Sequence, residues 1–251
     1  KSNKALKVKP GGAAGDTIGI DIADKVSQYC LLNAEGEIAG EGRFRTTPES
    51  VRKHFGQLPR ARIALEAGTH AHWMARQLEE QGHEVHMANP RQLKALTASK
   101  TKSDRNDAEK LARLARADVR LLHEVYVRSL GSQLDLAVVK MRDAEIRART
   151  LLVNEARSLA KIEAIRLPPS LTRSFGKRSK SRLPQELLSV LGDLLDRIDA
   201  LTEAIEKAGK QIEGMLERRY PEAVRLRKIP GVGPITALSF VLTLESPKRF
   251  G

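Results

Sequence analysis

Asp104 and Asp107 stand three residues apart in the stretch Ser99-Lys-Thr-Lys-Ser-Asp-Arg-Asn-Asp-Ala-Glu-Lys110. On a helix that spacing puts both carboxylates on one face, about one turn apart. Such a pair can complement the positive end of the helix dipole, or it can be half of a metal site. Two more acids have the second use open to them. Asp21 lies in the apolar run Thr17-Ile-Gly-Ile-Asp-Ile22, and Glu66 falls near the end of Arg62-Ile-Ala-Leu-Glu-Ala67. An Asp at a strand edge is ordinary surface. A carboxylate buried in such a run is costly unless a cation or hydrogen bonds compensate it. If the two strands are neighbours, the acids converge, and like charges that close call for a cation. Four carboxylates suit Mg²⁺ or Mn²⁺, hard ions with oxygen ligands. Two such ions about 4 Å apart activate a nucleophile and stabilise the leaving oxygen in phosphoryl transfer. From residue types alone, a metal site and a set of structural acids both stay open.

Cations surround these acids. Lys100, Lys102 and Arg105 flank the Asp pair, and Arg173, Lys177, Arg178, Lys180 and Arg182 form a second basic group. Each group reads either as a solvated charge run or as a phosphate contact. The formal net charge of +13 over 251 residues tilts the reading toward contact, with nucleic acid the first partner to test and an anionic membrane surface the second. Phosphate contacts of this kind are salt-sensitive. Other candidates read as structural. Asp24 is a turn residue, and His70 and His72 lack a third ligand and read as helix surface. Cys30 is the only cysteine, which excludes an internal disulfide and a cysteine-based zinc site; in Tyr29-Cys-Leu-Leu32 it is a small buried hydrophobe. No apolar run reaches the length of a membrane span, and no apolar stretch follows the basic N-terminus, so neither a span nor a signal peptide is expected and the cytoplasm is the expected compartment.

The elements that must hold the acids follow from the hydrophobic pattern. Residues 1–15 are basic, then small, and read as a flexible arm. Strands are expected at Thr17–Ile22, Gln28–Asn33 and Glu37–Thr46, with a turn at Gly36. A short helix follows from Pro48 to Phe55, then a strand at Arg62–Ala67, a helix from His70 to Gln81 and a strand at Glu84–Ala88. A short helical stretch is expected at Arg91–Ala98, and Asp104–Ala117 keeps helical spacing through Ala108, Leu111, Leu114 and Ala115. Three strands with short connections and two reached through helices make a mixed five-stranded sheet of RNase H-like α/β type.

The character then changes. Leu134, Val138, Met141, Ala148, Leu152, Leu159 and Ile162 mark a long amphipathic helix ended by Pro168-Pro169. A polar basic segment joins it to a second long helix after Pro184, with Leu188, Leu191, Leu195, Ile198, Leu201, Ile205, Ile212 and Met215 on one face. Together they read as an antiparallel helical hairpin or coiled coil. Ile229-Pro-Gly-Val-Gly-Pro-Ile-Thr-Ala-Leu238 then reads as a helix-hairpin-helix turn. There Gly231 and Gly233 expose backbone N–H groups that can hold a phosphate.

Thr17–Lys25, Ala64–Thr69 and above all Lys102-Ser-Asp-Arg-Asn-Asp-Ala-Glu-Lys-Leu-Ala112 resemble the DEDD transposases of bacterial insertion sequences, the IS-one-ten family. Ile229–Ala237 and Lys248-Arg-Phe250 resemble the start of that family's C-terminal domain. The resemblance implies a RuvC-like domain over 16–130, a coiled-coil hairpin over 131–220, and at 221–251 the start of a small helical domain that the chain leaves truncated. It implies that Asp21, Glu66, Asp104 and Asp107 bind Mg²⁺ in a DNA strand-cleaving and strand-exchanging enzyme. A structured bridge RNA would pair donor and target DNA. The family's nucleophilic serine is expected beyond the chain end, because Ser239 and Ser246 do not occupy its context. The exposed Leu stripe implies a dimer or tetramer. Two alternatives are a Holliday-junction-type endonuclease using the four acids alone and a non-enzymatic nucleic-acid scaffold.

Overall fold

The computed structural model describes residues 15–96, 104–169 and 174–245, with the side chains of 94–96 and 104–106 outside the description. The chain divides after Arg128 into two units.

The first unit is built on strand β1 (Thr17–Asp21), whose residues are buried on both faces until Asp21. It pairs antiparallel with β2 (Val26–Leu32), which pairs antiparallel with β3 (Ile38–Arg45). On its other side β1 runs parallel to β4 (Arg62–Glu66), and β4 runs parallel to β5 (Glu84–Ala88). The order β3-β2-β1-β4-β5 is the mixed, RNase H-like α/β sheet expected from the sequence.

Helices cover both faces. Helix α1 (Pro48–Phe55) starts with Pro at its first turn, and the Thr47 hydroxyl accepts from the Ser50 N–H at 3.3 Å. Helix α2 is Ala71–Glu80. Val51 and Phe55 of α1 and Met74, Ala75 and Leu78 of α2 bury against Ile18, Ile20, Tyr29, Leu31 and Phe44. Short helix α3 (Pro90–Leu96) precedes α4 (Asp104–Ala117). The apolar stripe of α4 lies on the opposite face of the sheet, where Leu111 and Ala115 meet Ala64 and Ala88, and Ala108 and Ala112 meet Cys30 and Leu32.

Two contacts set the direction of α4. Arg62, the first residue of β4, donates from Nη1 to the Ala115 carbonyl at 3.3 Å, and Arg116 donates to the Asn33 carbonyl just past β2 at 3.1 Å. The C-terminal end of α4 therefore lies at the start of β1 and β4. Midway, Gly19 lets the helix come close, since a Cβ there would lie 2.0 Å from the Ala108 carbonyl oxygen. The helix thus runs antiparallel to β1 and β4, and its first turn, with Asp104 and Asp107, lies toward the strand ends that carry Asp21 and Glu66.

The second unit is helical. Helix α5 (Leu130–Ala160) is capped by the Ser129 hydroxyl, and a 3-10 turn at Lys161–Glu163 follows it. Helices α6 (Phe175–Lys180), α7 (Gln185–Arg219), α8 (Pro221–Leu226) and α9 (Pro234–Leu244) complete it. α5 and α7 are antiparallel. Val139 packs with Ile212, Met215 and Leu216 at one end, and Val153, Ala156 and Ala160 pack with Leu191, Leu195 and Ile198 at the other. Helices α8 and α9 join the first of these clusters through Ala223, Ala237, Leu238 and Leu242.

Between the two clusters α7 still buries Thr202, Ile205 and Ala208, while α5 turns polar side chains inward. Arg142 Nε and Glu145 Oε2 are buried there without a hydrogen-bond partner. Burial, and then the charge of Arg142, hold the Arg149 guanidinium below its usual range.

Three expectations for this unit change. α5 ends at Ala160, ahead of the prolines, because Ala164 adopts a left-handed φ of 55° that helix cannot continue through. Its buried face is Ser132, Asp135, Val139, Val153, Ala156 and Ala160, one position round from the Leu134–Met141 stripe; Leu134, Met141 and Ile162 are exposed. The described part of the basic connection is not a loop but α6, anchored by the buried Phe175 ring under Arg157 and by the Gly176 N–H donating to Asp199 at 3.1 Å.

Candidate active site

An open cleft of about 400 Å³ lies at the C-terminal ends of β1 and β4. The two strands run parallel in register, with Ile20 opposite Leu65, so Asp21 and Glu66 emerge level with each other. Both line the cleft and both are half-buried. Strand alternation puts them on the face of Gly19 and Ala64, the face covered by α4. Asp24, Thr69 and His70 line the same cleft.

Asp107 is half-buried on α4 and pairs with Lys110 Nζ at 3.2 Å. It is not among the residues lining the cleft. Asp104 opens α4, and its side chain lies outside the described residues. Among the described residues no three His, Cys, Asp or Glu side chains are grouped closely enough to hold one ion. The sheet therefore brings the two strand-borne acids together, and the helix directs its first turn toward them.

A family model of transposases, the DEDD type of IS110, matches residues 18–162, more than half of the chain. The chain belongs to this transposase family. A probable family 20 transposase of Pseudomonas aeruginosa is 29% identical over 241 residues, covering 93% of this chain and 69% of that protein. The transposase for insertion sequence element IS1111A of Coxiella burnetii is 27% identical, and that for IS1328 of Yersinia enterocolitica is 28% identical. Each covers 93% of this chain, and 64% and 69% of its own length respectively. The chain spans between 60% and 69% of the length of these and a further relative.

The remaining predicted positions are spread over both units. Lys177, Arg178 and Arg182 are exposed on and just after α6, whereas Lys180 is paired with Asp196. Gly231, at φ +84°, and Gly233, the N-cap of α9, form an exposed turn into that helix. Lys100, Lys102 and Arg173, Ser246, residues 1–14 and the Arg105 side chain lie outside the described residues. No helix among the described residues is long and apolar enough to cross a membrane.

By sequence Asp24 is expected in a turn and His70 on a helix surface. In the structure His70 Nε2 faces Asp24 Oδ1 at 3.3 Å, and Trp73 Nε1–H donates to His70 Nδ1 at 3.1 Å. The signal is that Ala67-Gly68-Thr69-His70 follows directly on Glu66, and residues just past the carboxyl ends of strands are those that line crevices in open α/β sheets.

Proposed function

We propose that the chain is the nucleic-acid-cutting part of an insertion-sequence transposase. The observation that carries this reading is the pairing of Asp21 and Glu66 at adjacent strand ends in one cleft. The donor set fits a hard divalent ion, since both side chains offer only carboxylate oxygens. Asp21, Glu66, Asp104 and Asp107 would hold Mg²⁺, with Mn²⁺ as an alternative. Such an ion supplies Lewis-acid stabilisation of charge on phosphate oxygens.

The other partners follow from charge and from the family. DNA would lie along the basic side chains Lys177, Arg178 and Arg182 and the Gly231–Gly233 turn, contacted through phosphates. Lys100, Lys102, Arg105, Arg173 and Lys180 belong to the same proposal. A bridge RNA would supply sequence choice by base pairing, with the protein reading backbone and helical shape. Strand exchange would use a serine outside this chain. Exposed Leu134, Met141 and Leu151 of α5 would face other copies in a dimer or tetramer.

Mn²⁺ binding followed by electron paramagnetic resonance tests the metal site. Asp21→Asn and Glu66→Gln are each expected to weaken binding roughly a hundredfold, the upper end of the 10–100-fold typical of outer-shell partners. Both variants binding Mn²⁺ like the parent chain would sink the reading. For the basic face, Lys177→Ala with Arg178→Ala is expected to lower the slope of log affinity against log salt by roughly two units, one per lost phosphate contact. DNA-binding titrations at several salt concentrations read this directly, and an unchanged slope would remove these residues from the interface.

A further inference from the structure

We infer that His70 contacts the nucleic acid: its imidazole, held at Nδ1 by Trp73, donates Nε2–H to a phosphodiester oxygen seated in the Asp21–Glu66 cleft. This rests on the cleft being the nucleic-acid-cutting site proposed above.

The tautomer follows from the partners. The indole N–H of Trp73 can only donate, so His70 Nδ1, 3.1 Å away, must accept. The ring's own proton is then on Nε2. The ring is also fixed in place. Trp73 packs against the apolar core, and the two rings meet edge to face with centroids 6.2 Å apart.

The chemistry of the cleft calls for such a donor. Asp21, Asp24 and Glu66 offer acceptors and negative charge, and the other lining residues besides Thr69 and His70 are apolar or glycine. Thr69 and His70 are thus its only side-chain donors among the described residues. A phosphodiester brought against carboxylates needs donors for its oxygens. The Nε2–H of His70 is placed to provide one.

Asp24 holds the place meanwhile. Its side chain is 85% exposed, so its 3.3 Å contact with Nε2 competes with water and is readily exchanged for a phosphate oxygen.

Trp73 is the only tryptophan of the chain, so its fluorescence reports on this contact. The experiment titrates the whole chain with a short fluorescein-labelled DNA duplex, with Ca²⁺ in place of Mg²⁺. Salt is held at about 0.2 M to weaken surface phosphate contacts. Anisotropy and Trp73 emission are read together. His70→Ala is expected to weaken binding roughly tenfold, the scale of one hydrogen bond to a charged group, and to abolish the Trp73 response. His70→Gln, which keeps an N–H donor, is expected to restore most of the affinity, and Mn²⁺ binding should be unchanged in both variants. The inference is overturned if His70→Ala binds the duplex like the parent chain. It is equally overturned if His70→Gln is as weak as His70→Ala, since that would mark the ring as packing alone. Failure of the underlying reading looks different: Mn²⁺ binding would survive Asp21→Asn and Glu66→Gln, whatever the His70 variants do.

Discussion

Gly19→Ala should unfold the first unit more readily than any comparable single-methyl change, by roughly 3 kcal/mol. The added Cβ would lie 2.0 Å from the Ala108 carbonyl oxygen and 2.5 Å from the Ala112 nitrogen. Both are backbone atoms inside α4, so no side-chain rotation relieves the clash. Either β1 leaves its place between β2 and β4, or α4 lifts off the sheet and takes Ala108, Leu111, Ala112 and Ala115 out of their contacts. The second outcome also separates the first turn of α4 from Asp21 and Glu66. Urea unfolding measures the stability loss, and Mn²⁺ titration of the folded fraction measures the displaced helix. A variant as stable as the parent chain would mean that α4 does not seat against β1 as described.

Asp135→Ala is the second large effect, expected to cost about 2 to 3 kcal/mol in the helical unit. Asp135 is 6% exposed and accepts from Arg219 Nη1 at 2.9 Å and from the Tyr220 hydroxyl. Truncation leaves both donors without their acceptor at the junction of α7 and α8. The cost stays below that of a fully buried pair because the Arg219 side chain is half exposed and can rehydrate.

The same site gives an alkaline signature. Burial, and then the Asp135 contact, push the Tyr220 phenol up to about 12 from an ordinary value of 10.0. The unfolded chain loses this proton first as pH rises. The contribution to stability is therefore complete below pH 10.0 and fades as pH climbs toward 12. Asp135→Ala should flatten that part of the stability curve. Thermal unfolding at a series of alkaline pH values checks it.

The sheet was readable because its signals are local. Thr17–Asp21, Arg62–Glu66 and Glu84–Ala88 are short apolar runs bounded by turn residues, and each forms a strand. The spacing of Ala108, Leu111 and Ala115 announced α4 and its buried face. What the pattern missed depended on distant partners. The buried face of α5 includes Asp135, and no hydrophobic count selects an acid that Arg219 and Tyr220 will cover. α6 has Phe175 as its single large apolar residue and depends on Asp199 and Asp196 of α7, so its local sequence reads as a charged loop. Likewise, His70 looked like surface until Trp73 and Asp24 closed around it from a helix turn and a separate loop.

The thinly buried middle of the helical hairpin has a consequence for how it yields under load. Its two apolar clusters sit at the ends; at mid-span only Ile205 and Ala208 of α7 are buried apolar residues, and between Val139 and Val153 no residue of α5 is buried. Cohesion is lowest where Arg142, Glu145 and Arg149 face α7. Local opening free energy tracks apolar contact density, so the hairpin should open at mid-span before either end. Backbone amides of α5 are expected to exchange fastest in that central stretch and slowest beside Val139 and Ala156. The far tip, with α6, would then swing as one stiff piece about a compliant waist.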